Sequence, residues 1–251
     1  MALHEELERD GNWLFKRRSY LPIGILVIGY LLYLQREYYS GYFFLEDTSY
    51  EIYFEMLAVL ISLLGLFIRI YTIGYTFNNT SGRNTKEGQV ADALNVNGIY
   101  SIVRHPLYVG NFLMWLGPAL WTANFWFIIA FCLFYWIYYE RIMYAEEQFL
   151  RKKFAHNYLS WSSNVPAFIP KFKNFKKPSL PFNWKKVLKK EKNGFFALFL
   201  IFTFFDISGV FLEKTGSYNF FSDYPFMHLL YSQLLVCQRV CLQNTVCLIC
   251  K

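Results

Sequence analysis

Only three residues, Thr122-Ala123-Asn124, separate two apolar runs at positions 107–121 and 125–139. Each run spans about four helical turns, and so short a joint makes the pair an antiparallel helical hairpin. Whatever precedes the first run must therefore meet whatever follows the second, at one end of the hairpin. Residues 98–110, GIYSIVRHPLYVG, hold Arg104-His105-Pro106 at the start of the first run. Residues 140–154, ERIMYAEEQFLRKKF, continue from the second.

Further apolar runs lie at 20–34, 52–77 and 195–212, with a short one at 224–236. The 251 residues are 55% hydrophobic and 17% charged, with mean hydropathy +0.21. A soluble domain is less apolar and more charged. Phe (27) and Tyr (20) often stand at the ends of runs, as lipid-interface belts require. The expectation is an all-α, polytopic membrane protein with five or six transmembrane helices, including the tight hairpin. Residues 1–251 are read as one integral-membrane domain. The 52–77 run carries Glu55 and Arg69 near its ends, and both are expected to snorkel. Gly117-Pro118 is expected to kink the first hairpin helix.

The net charge of +7 sits largely in loops. That fits topology setting and anionic lipid headgroups, and no nucleic-acid partner is expected. Lys and Arg bias puts the N-terminus and the 78–105 and 140–193 stretches on the cytosolic side. The protein is thus expected to be multi-pass, with its site facing the cytosol. The sequons that begin at Asn78 and Asn79 fall on that side and are discounted. No cleavable signal peptide is expected ahead of the first run. Residues 160–193 are basic and contain four prolines. They read either as a segment lying on anionic headgroups or as a solvated linker.

Cys132 lies in an apolar run, whereas Cys237, Cys241, Cys247 and Cys250 crowd the last fifteen residues. Their spacing is unusual for zinc, and no metal is expected. With Leu248 at the fourth position from the end, no prenylation box is expected. The tail is expected to have no catalytic role.

Taken alone, Arg104 and His105 suit an interface anchor, and Pro106 suits a first helical turn. Tyr108 and Gly110 follow, Gly110 allowing close approach of a ligand or a helix. On the second helix, Glu140, Tyr144 and Glu147 share a face, with Glu146 beside them. These carboxylates either pair with Arg141, Arg151, Lys152 or Arg104, or serve a site. Two such motifs at one end of one hairpin favour a concave polar site at the lipid boundary.

Asn97-Gly98-Ile99-Tyr100, Arg104-His105-Pro106-Leu107-Tyr108-Val109-Gly110, Glu140-Arg141-Ile142, Glu146-Glu147, Phe154, Tyr158, Val165-Pro166 and Ile169-Pro170 together resemble the isoprenylcysteine carboxyl methyltransferase family. They are also similar to the phospholipid methyltransferases of the same membrane superfamily. The resemblance covers residues 98–170, a methyltransferase core, and departs at Ala155, where the family usually has glycine. It implies a helical membrane enzyme with an S-adenosylmethionine pocket facing the cytosol and an acceptor that enters from the lipid. On that resemblance His105, Pro106, Tyr108, Gly110, Glu146 and Glu147 would bind the cofactor. Arg104, Glu140 and Arg141 would serve the acceptor side.

The expected function is therefore S-adenosylmethionine-dependent methyl transfer to a membrane lipid or lipidated acceptor. O-methylation is favoured, of an isoprenylcysteine carboxylate or a lipid phosphate such as that of a lipid A type glycolipid. The alternatives are phospholipid N-methylation and a non-catalytic membrane transport or assembly protein. An ionised carboxylate or phosphate needs no base, only an orienting cation such as Arg104. An amine would need one.

Overall fold

The computed structural model describes residues 2–18, 20–39, 50–77, 89 and 91–213. The sequons at Asn78 and Asn79, the four C-terminal cysteines and the 224–236 run lie outside the described residues. Among those described, six α-helices carry the fold: α1 (Leu3–Lys16), α2 (Tyr20–Tyr38), α3 (Glu51–Gly74), α4 (Pro106–Trp121), α5 (Phe125–Ser162) and α6 (Trp184–Glu213). Three of them, α3, α5 and α6, are long and apolar enough to cross a membrane.

The hairpin forms as its short joint requires. Ala123 turns the chain at φ +51°. Asn124 then caps α5, its side-chain oxygen accepting from the Phe127 amide at 3.0 Å. That satisfies one of the donors a helix start leaves free.

Helix α4 packs most extensively against α3, and small residues make the approach possible. A Cβ on Gly65 would run into the Gly110 carbonyl and the Met114 amide, and one on Gly117 into Ser62 and Ala58. Gly110 thus serves helix packing. Pro118 lies inside α4, which continues through it. Its missing N–H strips the Met114 carbonyl of its helical donor. Ser62 supplies a replacement, its hydroxyl donating to Met114 O at 2.9 Å.

Arg69 does not snorkel. Its guanidinium turns inward to Glu191 of α6 and to Asn111 of α4, because those partners satisfy it within the bundle. Glu55 is half-buried. Helix α6 begins about ten residues before its apolar run and also packs on α2. Tyr30 and Ser208 share a hydrogen bond at 2.8 Å, and Phe202 and Phe205 pack with Tyr33 and Trp121.

The polar N-terminal stretch forms α1, which lies along α5. Lys152 pairs with Glu8 at 2.5 Å and Arg141 with Asp10 at 3.7 Å. The Tyr138 hydroxyl donates to Leu14 O at 3.3 Å. Gly11 sits so close to α5 that a side chain there would meet the Arg141 carbonyl.

Helix α5 has 38 residues, a length of about 57 Å, more than a bilayer core needs. It carries the chain past its apolar part, and its backbone breaks at Ala155 (φ +42°, ψ −116°). Residues 163–183 then fold back as a strap. They are not a solvated linker, because backbone bonds join them to the loop before α4. Arg104 N donates to Pro166 O at 2.9 Å, His105 N to Ala167 O at 3.1 Å, Lys171 N to Ile102 O at 2.9 Å and Gly98 N to Lys176 O at 3.0 Å. Ile169, Phe172 and Trp184 remain exposed beside its lysines, as an interfacial segment requires.

Candidate active site

Two elements furnish the site: the loop and first turn of α4, and the part of α5 beyond its apolar segment. Gly98 takes φ +62°, a conformation that glycine adopts without strain. The 3₁₀ turn that follows, Ile99–Ser101, is held by two bonds. Ser101 Oγ accepts from Lys176 N at 2.8 Å, and Tyr100 O accepts from Trp161 Nε1 at 3.0 Å. With the strap behind it, the loop brings Arg104 and His105 to α5. Pro106 starts α4.

The two acidic residues of α5 divide their work. Glu147 Oε1 lies 2.9 Å from His105 Nε2 and 3.1 Å from Arg104 Nε. A carboxylate only accepts, so His105 donates from Nε2 and its ring orientation is set. Arg104 also reaches the Ser162 carbonyl at 3.3 Å. Glu146 accepts from the Tyr108 hydroxyl at 2.9 Å and lies 3.8 Å from His105 Nδ1. The His105 and Tyr108 rings stack at 5.7 Å, and Tyr108 meets Tyr139 at 5.2 Å. Both His105 and Tyr108 are buried.

These groups border a cavity of about 350 Å³, within the size range of small-molecule pockets. Tyr100, Arg104, His105, Pro106, Tyr108 and Glu146 face it, and Phe15 and Arg18 close it from the N-terminal side. Burial, and next the Glu146 charge, push the Tyr100 phenol above its ordinary value. It therefore stays protonated, a neutral donor on the wall.

The structure thus brings together Arg104, His105, Pro106, Tyr108 and Glu146, with Glu147 behind them as anchor. It does not bring the others. Gly110 faces Gly65 and Arg69 of α3. Glu140 is exposed, and Arg141 pairs with Asp10, so neither reaches the cavity. Both lie where α5 turns its side toward α1 or the surroundings.

Among the contributors to the wall that the motifs do not mark are Phe15 and Arg18 of the N-terminal segment, Arg69 and Glu191. Arg69 and Glu191 close one side of the cavity. Glu191 is the single carboxylate among residues 171–192, a lone acid in a lysine run. That is the one sequence signal that marks it.

Residues 53–157 match the family model described as phospholipid methyltransferase. A protein-S-isoprenylcysteine O-methyltransferase of Schizosaccharomyces pombe is 36% identical over 77 residues, covering 31% of this chain and 33% of that protein. Protein-S-isoprenylcysteine O-methyltransferase B of Arabidopsis thaliana is 38% identical over 79 residues, 31% of this chain and 39% of that one. The Xenopus laevis protein-S-isoprenylcysteine O-methyltransferase is 27% identical over 142 residues, 53% and 48% of the two chains. The chain therefore spans less than half the length of these relatives. No solved structure matches.

Proposed function

We propose that this chain, whose matched part belongs to the isoprenylcysteine carboxyl methyltransferase-like family, is an S-adenosylmethionine-dependent methyltransferase acting on an anionic, membrane-embedded acceptor. The observation that carries this reading is the joining of the two motifs. Arg104, His105, Tyr108 and Glu146 border one cavity, and Glu147 locks the first two in place.

The donor set fits the cofactor. A carboxylate such as Glu146 suits ribose hydroxyls or an ammonium group, and the faces of Tyr100 and Tyr108 suit a cationic sulfonium. When bound, the cofactor supplies an activated methyl group. The chain's own residues position and exclude. Tyr108 holds the Glu146 carboxylate, and Glu147 fixes His105 and Arg104. Phe15 and the tyrosines keep water from the reacting atoms. An ionised carboxylate or phosphate acceptor attacks through an oxygen lone pair and releases no proton, so alignment is the main requirement. The cations Arg18, Arg69 and Lys190 border the cavity and favour an anion over an ammonium acceptor. An isoprenylcysteine carboxylate meets that requirement, as does a lipid phosphate.

We read α2 and α4 as further spans beside α3, α5 and α6, with both motifs on the cytosolic face. The lysines of the strap and of the first turns of α6 then rest at that surface. The family description favours one second reading, methylation of a phospholipid amine. Incubation of the purified protein with methyl-labelled S-adenosylmethionine and extracted membranes separates the two. Label in a base-labile ester supports O-methylation, and label in a phospholipid amine supports the second reading. Absence of both cofactor binding and label would sink the enzyme reading.

A further inference from the structure

A second cavity, about 320 Å³ in volume, lies against the first. Pro22 of α2, Trp115 of α4 and Leu198 and Ile201 of α6 belong to the apolar part of its lining, a surface of the kind that takes a hydrocarbon chain. Arg69, Asn111 and Glu191 border both cavities and so form the wall between them.

The bonding in that wall is specific. Arg69 donates from Nε to Glu191 Oε2 at 2.8 Å and from Nη2 to Glu191 Oε1 at 2.6 Å. Its Nη1 donates to Asn111 Oδ1. This fork fixes the plane of the guanidinium as well as its place. Glu191 is 3% exposed. An ion pair buried this way costs desolvation that an apolar pair stapling α6 to α3 would avoid. Arg18, Arg69 and Lys190 border both cavities, and Glu191 is the one carboxylate common to the two linings, Glu146 facing the first cavity alone, so the shared wall keeps a net positive charge.

We propose that Glu191 is a positioning residue, which fixes the Arg69 guanidinium in the wall between the two cavities so that Arg69 receives the anionic group of the acceptor where they meet. This rests on the methyltransferase reading above and adds a residue from α6, beyond the family-matched segment. Without Glu191, the long Arg69 side chain swings toward the nearer polar interface and the acceptor loses its anchor. The cofactor side of the cavity, built on Glu146 and Tyr108, is unaffected.

The test uses the full chain in lipid nanodiscs, N-acetyl-S-farnesylcysteine as acceptor probe, and the variants Glu191→Gln, Glu191→Asp, Arg69→Gln and the double Arg69→Gln/Glu191→Gln. The expected result is an acceptor KM raised about tenfold in Glu191→Gln, the scale of one charge-assisted contact. S-adenosylmethionine affinity stays unchanged, Glu191→Asp recovers part of the loss, and the double variant behaves as Arg69→Gln alone. A stapling role alone would instead lower thermal stability and weaken both ligands together. An unmoved acceptor KM in folded Glu191→Gln overturns the proposal, as do additive losses in the double variant. Should Glu191→Gln not fold, Glu191→Asp decides, because it keeps the charge and only withdraws it by a methylene. Its KM must rise, and a wild-type value refutes the assignment. Wild-type protein that binds S-adenosylmethionine but leaves the probe unmethylated defeats the isoprenylcysteine acceptor and this proposal with it, while the methyltransferase reading stands or falls by the membrane-labelling test. Wild-type turnover with unmoved variants defeats this proposal alone.

Discussion

Glu147 and His105 stand 2.9 Å apart, and the carboxylate oxygen that receives the imidazole also lies 3.1 Å from Arg104. One oxygen thus ties down two consecutive residues of the loop before α4. Replacing Glu147 by Gln keeps the shape and removes the charge, which roughly halves the strength of such bonds. Methyl transfer should fall by about tenfold to a hundredfold, with the helical content unchanged by circular dichroism. Glu147→Ala and His105→Ala should each abolish transfer. Wild-type rates in these variants would refute the site.

Glu140 offers the contrast. It is exposed on α5, away from the cavity, so Glu140→Ala should retain activity within about twofold. A large loss in a methyl-transfer assay would show that the acceptor docks along a face of α5 other than the one described.

The Met114 carbonyl, freed by Pro118, depends on Ser62. Ser62→Ala leaves that oxygen buried without its donor, and the protein should lose about 1 kcal/mol. Thermal unfolding in detergent measures it. Pro118→Ala in the same background restores the helical N–H and should recover the loss, which packing at position 62 alone would not explain.

Gly65→Ala presses a methyl group onto the backbone of α4 at Gly110 and Met114. Backbone cannot yield as a side-chain tip does, so the two helices must part, at a cost of about 1–3 kcal/mol. Activity should drop too, because Arg69 and Asn111 sit on the separated faces. A Gly65→Ala protein as stable and active as wild type would contradict the close crossing.

Ala155 holds φ +42° and ψ −116°, where a Cβ is strained by about 1–3 kcal/mol. Ala155→Gly relieves that strain and gives back part of it as unfolded-state freedom. A net gain of about 1 kcal/mol is expected, read as a raised melting temperature. A fall would mean that the strain is smaller than the entropy glycine adds.

The meeting of Arg104-His105-Pro106 with Glu146-Glu147 was legible in the chain because the three-residue joint between α4 and α5 leaves those segments nowhere else to go. Other features left weaker marks. Arg69 and Glu191 are 122 positions apart, one in an apolar run and the other among lysines. Each alone reads as an interface residue. Docking of α1 rests on Gly11, whose significance appears only against the Arg141 carbonyl. Ala155 is marked in sequence only as alanine at a position where the resembled family usually has glycine. The acceptor roles expected of Glu140 and Arg141 rested on the resemblance alone, and Arg141 turned to Asp10 because α1 lies within its reach.

The strap is joined to the loop before α4 through peptide groups, at Arg104 to Pro166, His105 to Ala167, Lys171 to Ile102 and Gly98 to Lys176. Apart from the Ser101 hydroxyl, which accepts from Lys176 N, such a seam depends on backbone alone. The exposed residues along it, Ile169 and Phe172 among them, can therefore be exchanged while the loop keeps its shape. The shape of the pocket and the character of the strap's exposed face are in this way decoupled, so a change in one need not disturb the other.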